Sequence, residues 1–292
     1  MAGENNRPDH KFEGHSIRQS SDPTKFSEFS VLSVDKNRMK NAPEAFSRLE
    51  LLVGPGGLAR LRQARILLCG VGGVGSWAAE ALIRGGVGHL TVVDYDIIKA
   101  SNLNRQLEAL HSTLGKNKAE CMRDRLLDIA PESDIQALNL KLTPDNCQEL
   151  LLSSAWSYVI DAIDERPAKL ALLKACVENQ IPVISSMGSG NKLGAEHIQV
   201  VDLFQSAGCP LAKLLRKNLK KLGINGGIPV VVSSELPVVL SNGQFTGGHP
   251  GQDGEKRPLG SISYMPALFG LRCAAFVLEK LLDSEHYQRK GD

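Results

Sequence analysis

The sequence predicts an α/β fold, in which a Rossmann-like, mostly parallel sheet carries helices on both faces and an elaborated C-terminal part follows. Short apolar runs alternate along the chain with segments whose apolar residues recur at helical spacing. The run Ile66–Gly70 leads into a glycine-rich turn, which opens the next helix. Such an alternation implies parallel strands joined by right-handed crossovers, so a ligand is expected beyond the carboxyl ends of the strands.

The chain from residue 43 to residue 188 supplies most of the alternating elements. Helical periodicity predicts helices at Pro43–Gln63, Val74–Gly85, Lys116–Ile129, Asp145–Leu152 and Pro167–Asn179. Short apolar runs predict strands at Ile66–Gly70, His89–Asp94, Asp134–Leu140, Tyr158–Asp161 and Pro182–Ser186. Proline and glycine mark the boundaries, since Gly54–Gly57 breaks the first helix, Pro131 stops the third and Pro167 begins the fifth.

The alternation fails after Gly188, where the C-terminal elaboration begins. Two further strands, His197–Asp202 and Pro229–Ser234, are expected in a different arrangement, and Pro266–Leu282 is expected to be a closing helix. The segment Ser241–Gly260 is rich in glycine and polar residues, which is typical of a mobile loop. Residues 1–45 are polar with little apolar periodicity, so we expect a disordered or weakly ordered extension ahead of one domain spanning residues 46–292.

Composition excludes several classes of protein. The 292 residues carry a formal net charge of +2 and are 42% hydrophobic, so net charge alone predicts no nucleic-acid partner. No apolar run is long enough to cross a bilayer. Six cysteines are scattered without a Cys-x-x-Cys pair, which argues against a structural zinc site and favours a reducing, cytoplasmic location.

The glycine-rich turn predicts a phosphate-binding loop. Its sequence is Gly70-Val71-Gly72-Gly73-Val74-Gly75-Ser76. Because glycine lacks a β-carbon, Gly70, Gly72, Gly73 and Gly75 allow the backbone to approach a phosphate closely. The free amides and the dipole of the following helix then favour an anion, and the strand-to-helix context strengthens the motif. We name residues 70–76 the phosphate cradle.

The segment after the second predicted strand distinguishes ATP from a dinucleotide. Asp94 ends this strand, where such folds place a carboxylate on the ribose hydroxyls, and Asp96 can support the loop or the base side. Three amide side chains that can donate to phosphate follow, at Asn102, Asn104 and Gln106. Arg105 lies among them and can hold a phosphate through two parallel hydrogen bonds. This set favours an enzyme that attacks ATP over a dehydrogenase.

A further cation and two carboxylates complete the candidate site. Lys118 begins the next predicted helix and can contribute positive charge, although spacing alone favours a solvated lysine. Asp161 and Asp164 lie at and just after the carboxyl end of the fourth strand. Carboxylates are suited to magnesium held together with water and ATP phosphates, and Asp164 is the preferred ligand, although it can also cap the following helix.

As an ordered set, these motifs resemble the ATP-dependent adenylating enzymes related to ubiquitin activation, including those of molybdopterin and thiamin synthesis. The resemblance covers roughly Phe46 to Leu282. It is strongest to the branch of tRNA threonylcarbamoyladenosine dehydratases, on the stretches Gly72–Leu82, Ser157–Asp164 and Ile198–Leu203. The resemblance implies that the chain adenylates the carboxylate of threonylcarbamoyladenosine in tRNA and releases pyrophosphate. The activated group then cyclises and releases AMP.

The resemblance also implies roles for individual residues and for partners. Arg105 and Lys118 would stabilise charge at the α-phosphate, Asp164 would hold magnesium and Asp94 would fix the ribose. A homodimer is expected, in which an arginine near the N-terminal aromatic segment, here Arg48 near Phe46, reaches the partner's site. Whether a sulfur-transfer protein docks on the chain stays open.

A basic segment is a candidate tRNA contact. Helical spacing over Cys209–Leu222 puts leucines on one side and cations on the other. The cations are Lys213, Arg216, Lys217, Lys220 and Lys221. They can bind tRNA phosphates, or form the solvated face of an amphipathic helix.

Two rival functions stay open from the sequence. Cys209 precedes Pro210 in the region where ubiquitin-activating relatives carry a thioester-forming cysteine, so the chain can instead activate a ubiquitin-like or sulfur-carrier protein. A packed structural cysteine is the plainer interpretation of this residue. The third hypothesis is a non-catalytic or NAD-binding Rossmann protein.

Overall fold

The strands of the computed structural model form one sheet, and the structure describes residues 42–239 and 259–282. The strands are β1 (Arg65–Cys69), β2 (His89–Val93), β3 (Asp134–Leu138), β4 (Tyr158–Asp161), β5 (Val183–Ser186), β6 (Ile198–Asp202) and β7 (Pro229–Ser233). Their spatial order is β3-β2-β1-β4-β5-β7-β6. All neighbouring strands run parallel except β6 and β7, which are antiparallel.

The helices connect these strands and cover both faces of the sheet. They are α1 (Ala42–Ala45), α2 (Ser47–Gln63), α3 (Gly75–Arg84), α4 (Lys118–Ile129), α5 (Cys147–Leu152), α6 (Arg166–Glu178), α7 (Pro210–Lys221) and α8 (Tyr264–Leu282). The predicted break in α2 is present as a kink at Gly54, where φ is 70°. Every element predicted between residues 43 and 188 is confirmed, with boundaries that differ by a few residues.

The alternation of side chains along β1 explains the two core layers. Ile66 and Leu68 face one cluster, which α2, α3, α4 and α8 cover, whereas Leu67 and Cys69 face a second cluster, which α5, α6 and α7 cover. All four side chains are fully buried. Because a parallel sheet is buried on both faces, its central strands are continuously apolar. The predicted fold class is therefore confirmed.

The last two strands depart from the alternating pattern, as predicted, but they remain part of the main sheet. β7 pairs parallel with β5, through Ser185 and Val230, and β6 folds back antiparallel on β7 at the edge. Val230, Val231 and Val232 are all fully buried. Both strands therefore extend the main sheet, because β7 needs apolar cover on both of its faces.

Some predictions fall on residues that the structure does not describe. The predicted extension over residues 1–45 lies outside the described residues except for α1, and the loop predicted over residues 241–260 lies outside them up to residue 258. Within residues 42–239 and 259–282, none of the helices combines the length and the apolar character that a bilayer crossing requires.

We expect Gly270→Ala to destabilise the fold, because α8 packs directly on the start of α3. A β-carbon at Gly270 would overlap the carbonyl oxygen of Val74 and lie 3.0 Å from the amide nitrogen of Ala78. Overpacking of this kind costs about 1–3 kcal/mol, which thermal unfolding would measure as a lower Tm. Gly56→Ala is the matched control: nothing lies within 4 Å of its added β-carbon, so Tm should stay level or rise. Equal Tm values for the two variants would contradict this packing.

Candidate active site

The candidate site lies at the carboxyl edge of β2, β1 and β4. Cys69 pairs with Val93 on one side and with Asp161 on the other, so the three strands end at the same level. The loops that follow them carry the phosphate cradle, the Asp94 segment and the Asp164 segment. The sequence-predicted groups are therefore gathered at one edge of the sheet, as expected for a parallel α/β fold.

Glycine is required at both ends of the phosphate cradle. Gly70 has φ 92°, and a β-carbon there would lie 2.7 Å from the carbonyl oxygen of Ala162 in the β4 loop. A β-carbon at Gly75 would overlap the carbonyl oxygen of Gly70. The cradle thus turns tightly into α3. The Ser76 amide donates to the Gly72 carbonyl at 3.0 Å, and other amides at such a helix start can bind an anion.

Asp94 joins the cradle to the end of β2. Its carboxylate accepts hydrogen bonds from the backbone amides of Val71, at 2.7 Å, and Asp96, at 2.8 Å. Burial raises the pKa of Asp94, and the two amide hydrogen bonds act in the opposite direction. A carboxylate fixed at this point keeps lone pairs that can accept further hydrogen bonds, and its role at the ribose hydroxyls stays a prediction.

Arg105 lies against the cradle. Its aliphatic atoms would be 3.2 Å from a β-carbon on Gly73, and its backbone carbonyl accepts a hydrogen bond from the Trp77 indole at 3.2 Å. One guanidinium nitrogen donates to the Ser101 carbonyl and to the Asn104 side chain, each at 2.8 Å. The guanidinium is therefore held in place by one of its nitrogens at the rim of the cradle.

The three predicted amide side chains have different environments. Asn102 is buried and its side-chain oxygen accepts from the backbone amide of Lys99 at 2.9 Å, so it stabilises the turn. Asn104 donates to the carbonyl of Ser261 at 3.0 Å, which connects this loop to the segment before α8. Gln106 lies beside Gly72, and its side-chain oxygen is buried without a hydrogen-bond partner among the described residues.

Lys118 is buried in the site and is not the solvated lysine that spacing alone favours. It is 6% exposed, and its ammonium lies 3.0 Å from the Asp96 carboxylate. Asn117 caps α4 by accepting from the amide of Glu120 at 3.1 Å, which fixes the start of the helix under the Asp94 segment. The structure therefore brings Lys118, Asp96 and Asp94 together.

The two carboxylates after β4 differ sharply. Asp161 is fully buried and forms an ion pair with Lys169 at 2.9 Å, so it is not available as a magnesium ligand. Asp164 is exposed, and no described residue forms a hydrogen bond or ion pair with its carboxylate. An exposed carboxylate at this edge fits a magnesium ion that ATP phosphates and water also coordinate. Within the described residues there is no cluster of three or more metal-binding side chains.

The sequence analysis missed Glu108 and Lys169. Glu108 is 2% exposed and lies close to the Ser76 hydroxyl and its own backbone amide, but neither carboxyl oxygen reaches full hydrogen-bond geometry with a described residue. Burial raises its pKa to about 8, while nearby Lys118 lowers it and nearby Asp94 raises it. A single acid within the apolar stretch from Leu107 to Leu110 was the available signal for a buried carboxyl group.

The predicted basic segment forms α7, with its apolar face buried through Ala212, Leu215 and Leu219. Arg216 differs from the lysines, because one of its guanidinium nitrogens donates to the carbonyls of Leu203 and Ser206. Lysine side chains carry the exposed charge of this helix, at Lys213, Lys217, Lys220 and Lys221.

Two other predicted residues, Cys209 and Arg48, are not part of the site at the carboxyl edge of the sheet. Cys209 is 6% exposed at the start of α7, so its thiol is covered in this conformation and is not presented to a protein tail. Arg48 is exposed on α2, and neighbouring Leu51 and Leu52 are 85% and 80% exposed.

Comparison with known proteins identifies the family. The model of the ThiF family matches residues 46–290. The chain belongs to the ThiF family.

Relatives within the ThiF family match over nearly their whole length. The chain is 38% identical over 252 residues to the tRNA threonylcarbamoyladenosine dehydratase of Bacillus subtilis strain 168, covering 85% of this chain and 98% of the relative. The Escherichia coli tRNA N6-threonylcarbamoyladenosine dehydratase, TcdA, in complex with ATP matches with TM-score 0.73 at 32% identity, covering 86% of this chain and 97% of that chain. Its complex with AMP gives TM-score 0.72 at 33% identity, over 86% and 98% of the two chains. The predicted resemblance is confirmed.

We expect Glu108→Gln to remove a pH dependence of stability. With its pKa raised from 4.5 to about 8, folded Glu108 keeps a proton that the unfolded chain releases, so stability falls as pH rises through this window. Each unit of pKa difference is worth about 1.4 kcal/mol, so the total loss reaches several kcal/mol at pH 8 and above. Urea unfolding at about pH 5 and pH 8.5 measures the difference, which glutamine cannot show because it does not ionise.

The exposed Glu149→Gln is the control for this measurement. It should reproduce the pH dependence of the original chain. If Glu108→Gln and the original chain lost the same stability between the two pH values, Glu108 would not carry a raised pKa.

Proposed function

We propose that this chain is an ATP-dependent dehydratase that adenylates the carboxylate of threonylcarbamoyladenosine in tRNA and then cyclises it. The observation that carries the proposal is the near full-length likeness to dehydratases of this name, one of them crystallised with ATP. The site geometry supports it, because the anion-binding cradle, a ribose carboxylate and Arg105 meet at one edge.

The chemistry proceeds in two displacements. A carboxylate oxygen of the substrate attacks the α-phosphorus of ATP, a new oxygen–phosphorus bond forms, and pyrophosphate leaves with the electron pair of the broken bond. A nucleophile within the same threonylcarbamoyl group then attacks the activated carbonyl carbon, loses its proton to solvent and expels AMP. The modified nucleoside loses the elements of one water molecule, and ATP becomes AMP and pyrophosphate. No protein nucleophile is required, so catalysis rests on positioning and on neutralisation of phosphate charge.

Three side chains carry the charge and positioning roles in this proposal. Arg105 stabilises negative charge that builds on the α-phosphate oxygens, because a guanidinium can donate two parallel hydrogen bonds to a phosphate. Lys118 adds a buried positive charge, which is stronger than an exposed one because little water screens it. Asp94 accepts from the ribose and sets the position of the adenosine relative to the cradle.

Magnesium is proposed as the metal of the site, with Asp164 as its protein ligand. When bound, the ion neutralises part of the charge on the ATP phosphates. The exposed Asp164 carboxylate fits this role, whereas the Asp161 carboxylate is committed to Lys169.

Assembly, domain organisation and location complete the proposal. The chain acts as a homodimer, with residues 46–292 as the adenylating domain and residues 1–45 as an extension. The exposed leucines beside Arg48 support a subunit contact, since exposed apolar groups of this size favour burial against another surface. Its tRNA substrate and its free cysteines support a cytoplasmic location. A sulfur-transfer protein is a further proposed partner.

The proposal is tested with purified full-length chain, ATP, magnesium and tRNA that carries threonylcarbamoyladenosine. We expect release of AMP and pyrophosphate that depends on the modified tRNA, and a nucleoside lighter by one water. Arg105→Ala should slow AMP release by about 10²–10³-fold, and Arg105→Lys should recover only part of the rate because it lacks the planar fork.

Arg123→Ala is the control for this assay, because Arg123 lies on α4 and pairs with the exposed Asp124. Its rate should equal that of the original chain. An unchanged rate for Arg105→Ala would remove Arg105 from the site, and absence of AMP release from the original chain would overturn the proposed function.

We also propose that α7 binds tRNA phosphates. Removing three of its exposed lysines, by Lys213→Ala, Lys217→Ala and Lys221→Ala, should weaken tRNA binding. The plot of log affinity against log salt concentration should flatten by about 0.7–0.9 for each phosphate that these lysines no longer neutralise. The charge-matched control is the triple variant Arg123→Ala, Lys174→Ala and Lys280→Ala, which removes cations from other helices. Equal salt slopes for the two triple variants would place the tRNA elsewhere.

A further inference from the structure

A closed polar network lies directly beneath the loop that carries Asp164. The carboxylate of Asp161 accepts the Ser185 hydroxyl at 2.6 Å, the Ile163 amide at 3.1 Å and the Lys169 ammonium at 2.9 Å. Asp161, Lys169 and Ser185 are all fully buried. The network therefore joins β4, β5 and α6 at the carboxyl edge of the sheet.

Lys169 makes a second contact that goes beyond pairing with Asp161. Its ammonium also donates to the carbonyl oxygen of Ile163 at 3.0 Å. The Ile163 amide is held by Asp161 and its carbonyl by Lys169, so both backbone polar groups of this residue are fixed. Ile163 directly precedes Asp164, so the buried Asp161 and Lys169 fix the backbone that carries the exposed carboxylate.

The loop of residues 162–164 also contacts the phosphate cradle. The Ala162 carbonyl oxygen is the atom that excludes a β-carbon from Gly70, and the Ala162 amide donates to the Cys69 carbonyl at 2.8 Å. A shift of residues 162–164 would therefore change both the start of the cradle and the carboxylate beside it.

Stability alone does not account for a lysine at this position. A fully buried ion pair can often be replaced by apolar side chains of similar volume without loss of stability, because desolvation of the two charges offsets their attraction. Lys169 lies three and four residues before Leu172 and Leu173, on a buried stripe of α6 where an apolar residue would otherwise pack. What an apolar residue cannot supply is the hydrogen bond to the Ile163 carbonyl.

We propose that Lys169 is a positioning residue for nucleotide activation, which holds Asp164 in place through the backbone of Ile163. This inference rests on the proposed function only in assigning Asp164 to the magnesium–ATP complex. It assigns Lys169 a role through another residue and not a contact with the substrate.

The test separates the effect of the Lys169 hydrogen bond to the Ile163 carbonyl from the effect of the ion pair between Lys169 and Asp161. The double variant Asp161→Asn with Lys169→Met leaves no unpaired buried charge and keeps an oxygen for the Ile163 amide, but it removes the donor to the Ile163 carbonyl. Ser185→Ala is the matched control, because it deletes a buried hydrogen bond of the same network without touching residues 162–164. For each variant, Tm is measured, and ATP affinity is titrated calorimetrically with magnesium and with a chelator.

For the double variant we expect a Tm close to that of the original chain and unchanged ATP affinity in chelator. The magnesium concentration that half-saturates the enhancement of ATP binding should rise about 10–100-fold, as when an outer partner of a metal ligand is removed. Ser185→Ala should lower Tm and leave this concentration unchanged. In an Asp164→Ala background, the double variant should produce no further rise, because residues that act through one another are not additive.

The inference would be overturned if the double variant kept the original half-saturating magnesium concentration, or if Ser185→Ala raised that concentration equally. It would also be overturned if the double variant raised this concentration by its full factor in the Asp164→Ala background. These outcomes are independent of tRNA. If the original chain bound ATP with magnesium but released no AMP with modified tRNA, the proposed function would be wrong. The role of Lys169 would still be tested by the magnesium titration alone.

Discussion

The site depends on the close approach of three backbone segments around Gly70. The φ of 92° and the Ala162 oxygen exclude any side chain there, so the β4 loop and the cradle cannot move independently. Asp94 adds the third segment through its hydrogen bond to the Val71 amide. Since interiors are close-packed, a change at one of these contacts is transmitted to the others. The edge of the sheet therefore behaves as one preorganised unit that fixes an anion-binding turn relative to its surrounding side chains.

A site that binds a triphosphate also requires the negative charge of its own carboxyl groups to be compensated. Besides the exposed Asp164, four carboxyl groups lie beside or beneath the cradle among the described residues: Asp94, Asp96, Asp161 and Glu108. They are compensated in three different ways. Asp94 accepts hydrogen bonds from two backbone amides, and Asp96 and Asp161 pair with lysines. Burial raises the pKa of Glu108 to about 8, so this group is mostly uncharged below that pH. With these carboxyl groups compensated, the cradle amides, Lys118 and the Arg105 guanidinium can provide a favourable field for a bound phosphate.

The sequence predicted what is local and missed what is not. The strand–glycine turn–helix pattern, Asp94 and the polar loop ending at Gln106 follow from short-range spacing, and the structure places them together. The pairing of Lys169 with Asp161, by contrast, joins a helix to a strand through side chains whose partners no periodicity encodes. The same holds for Arg216, which the sequence groups with the lysines predicted to contact tRNA but whose guanidinium donates to the carbonyls of Leu203 and Ser206. Strand order also escaped prediction, because the apolar pattern of β7 specifies burial on both faces and not the neighbour that provides it.

At Asp164 the backbone is fixed while the side chain is free to rotate, and this combination suits a site at which two successive displacements take place. The ligand-facing groups must hold a triphosphate, then a mixed anhydride, and finally AMP. A carboxylate such as Asp164, exposed on a backbone whose preceding amide and carbonyl are both fixed, can change rotamer without moving its Cα. Were the backbone free instead, each new ligand would have to order it again, at a cost of about 1–2 kcal/mol per residue. The buried network under β4 therefore removes that cost from every step, and this advantage does not depend on any net gain in folding stability.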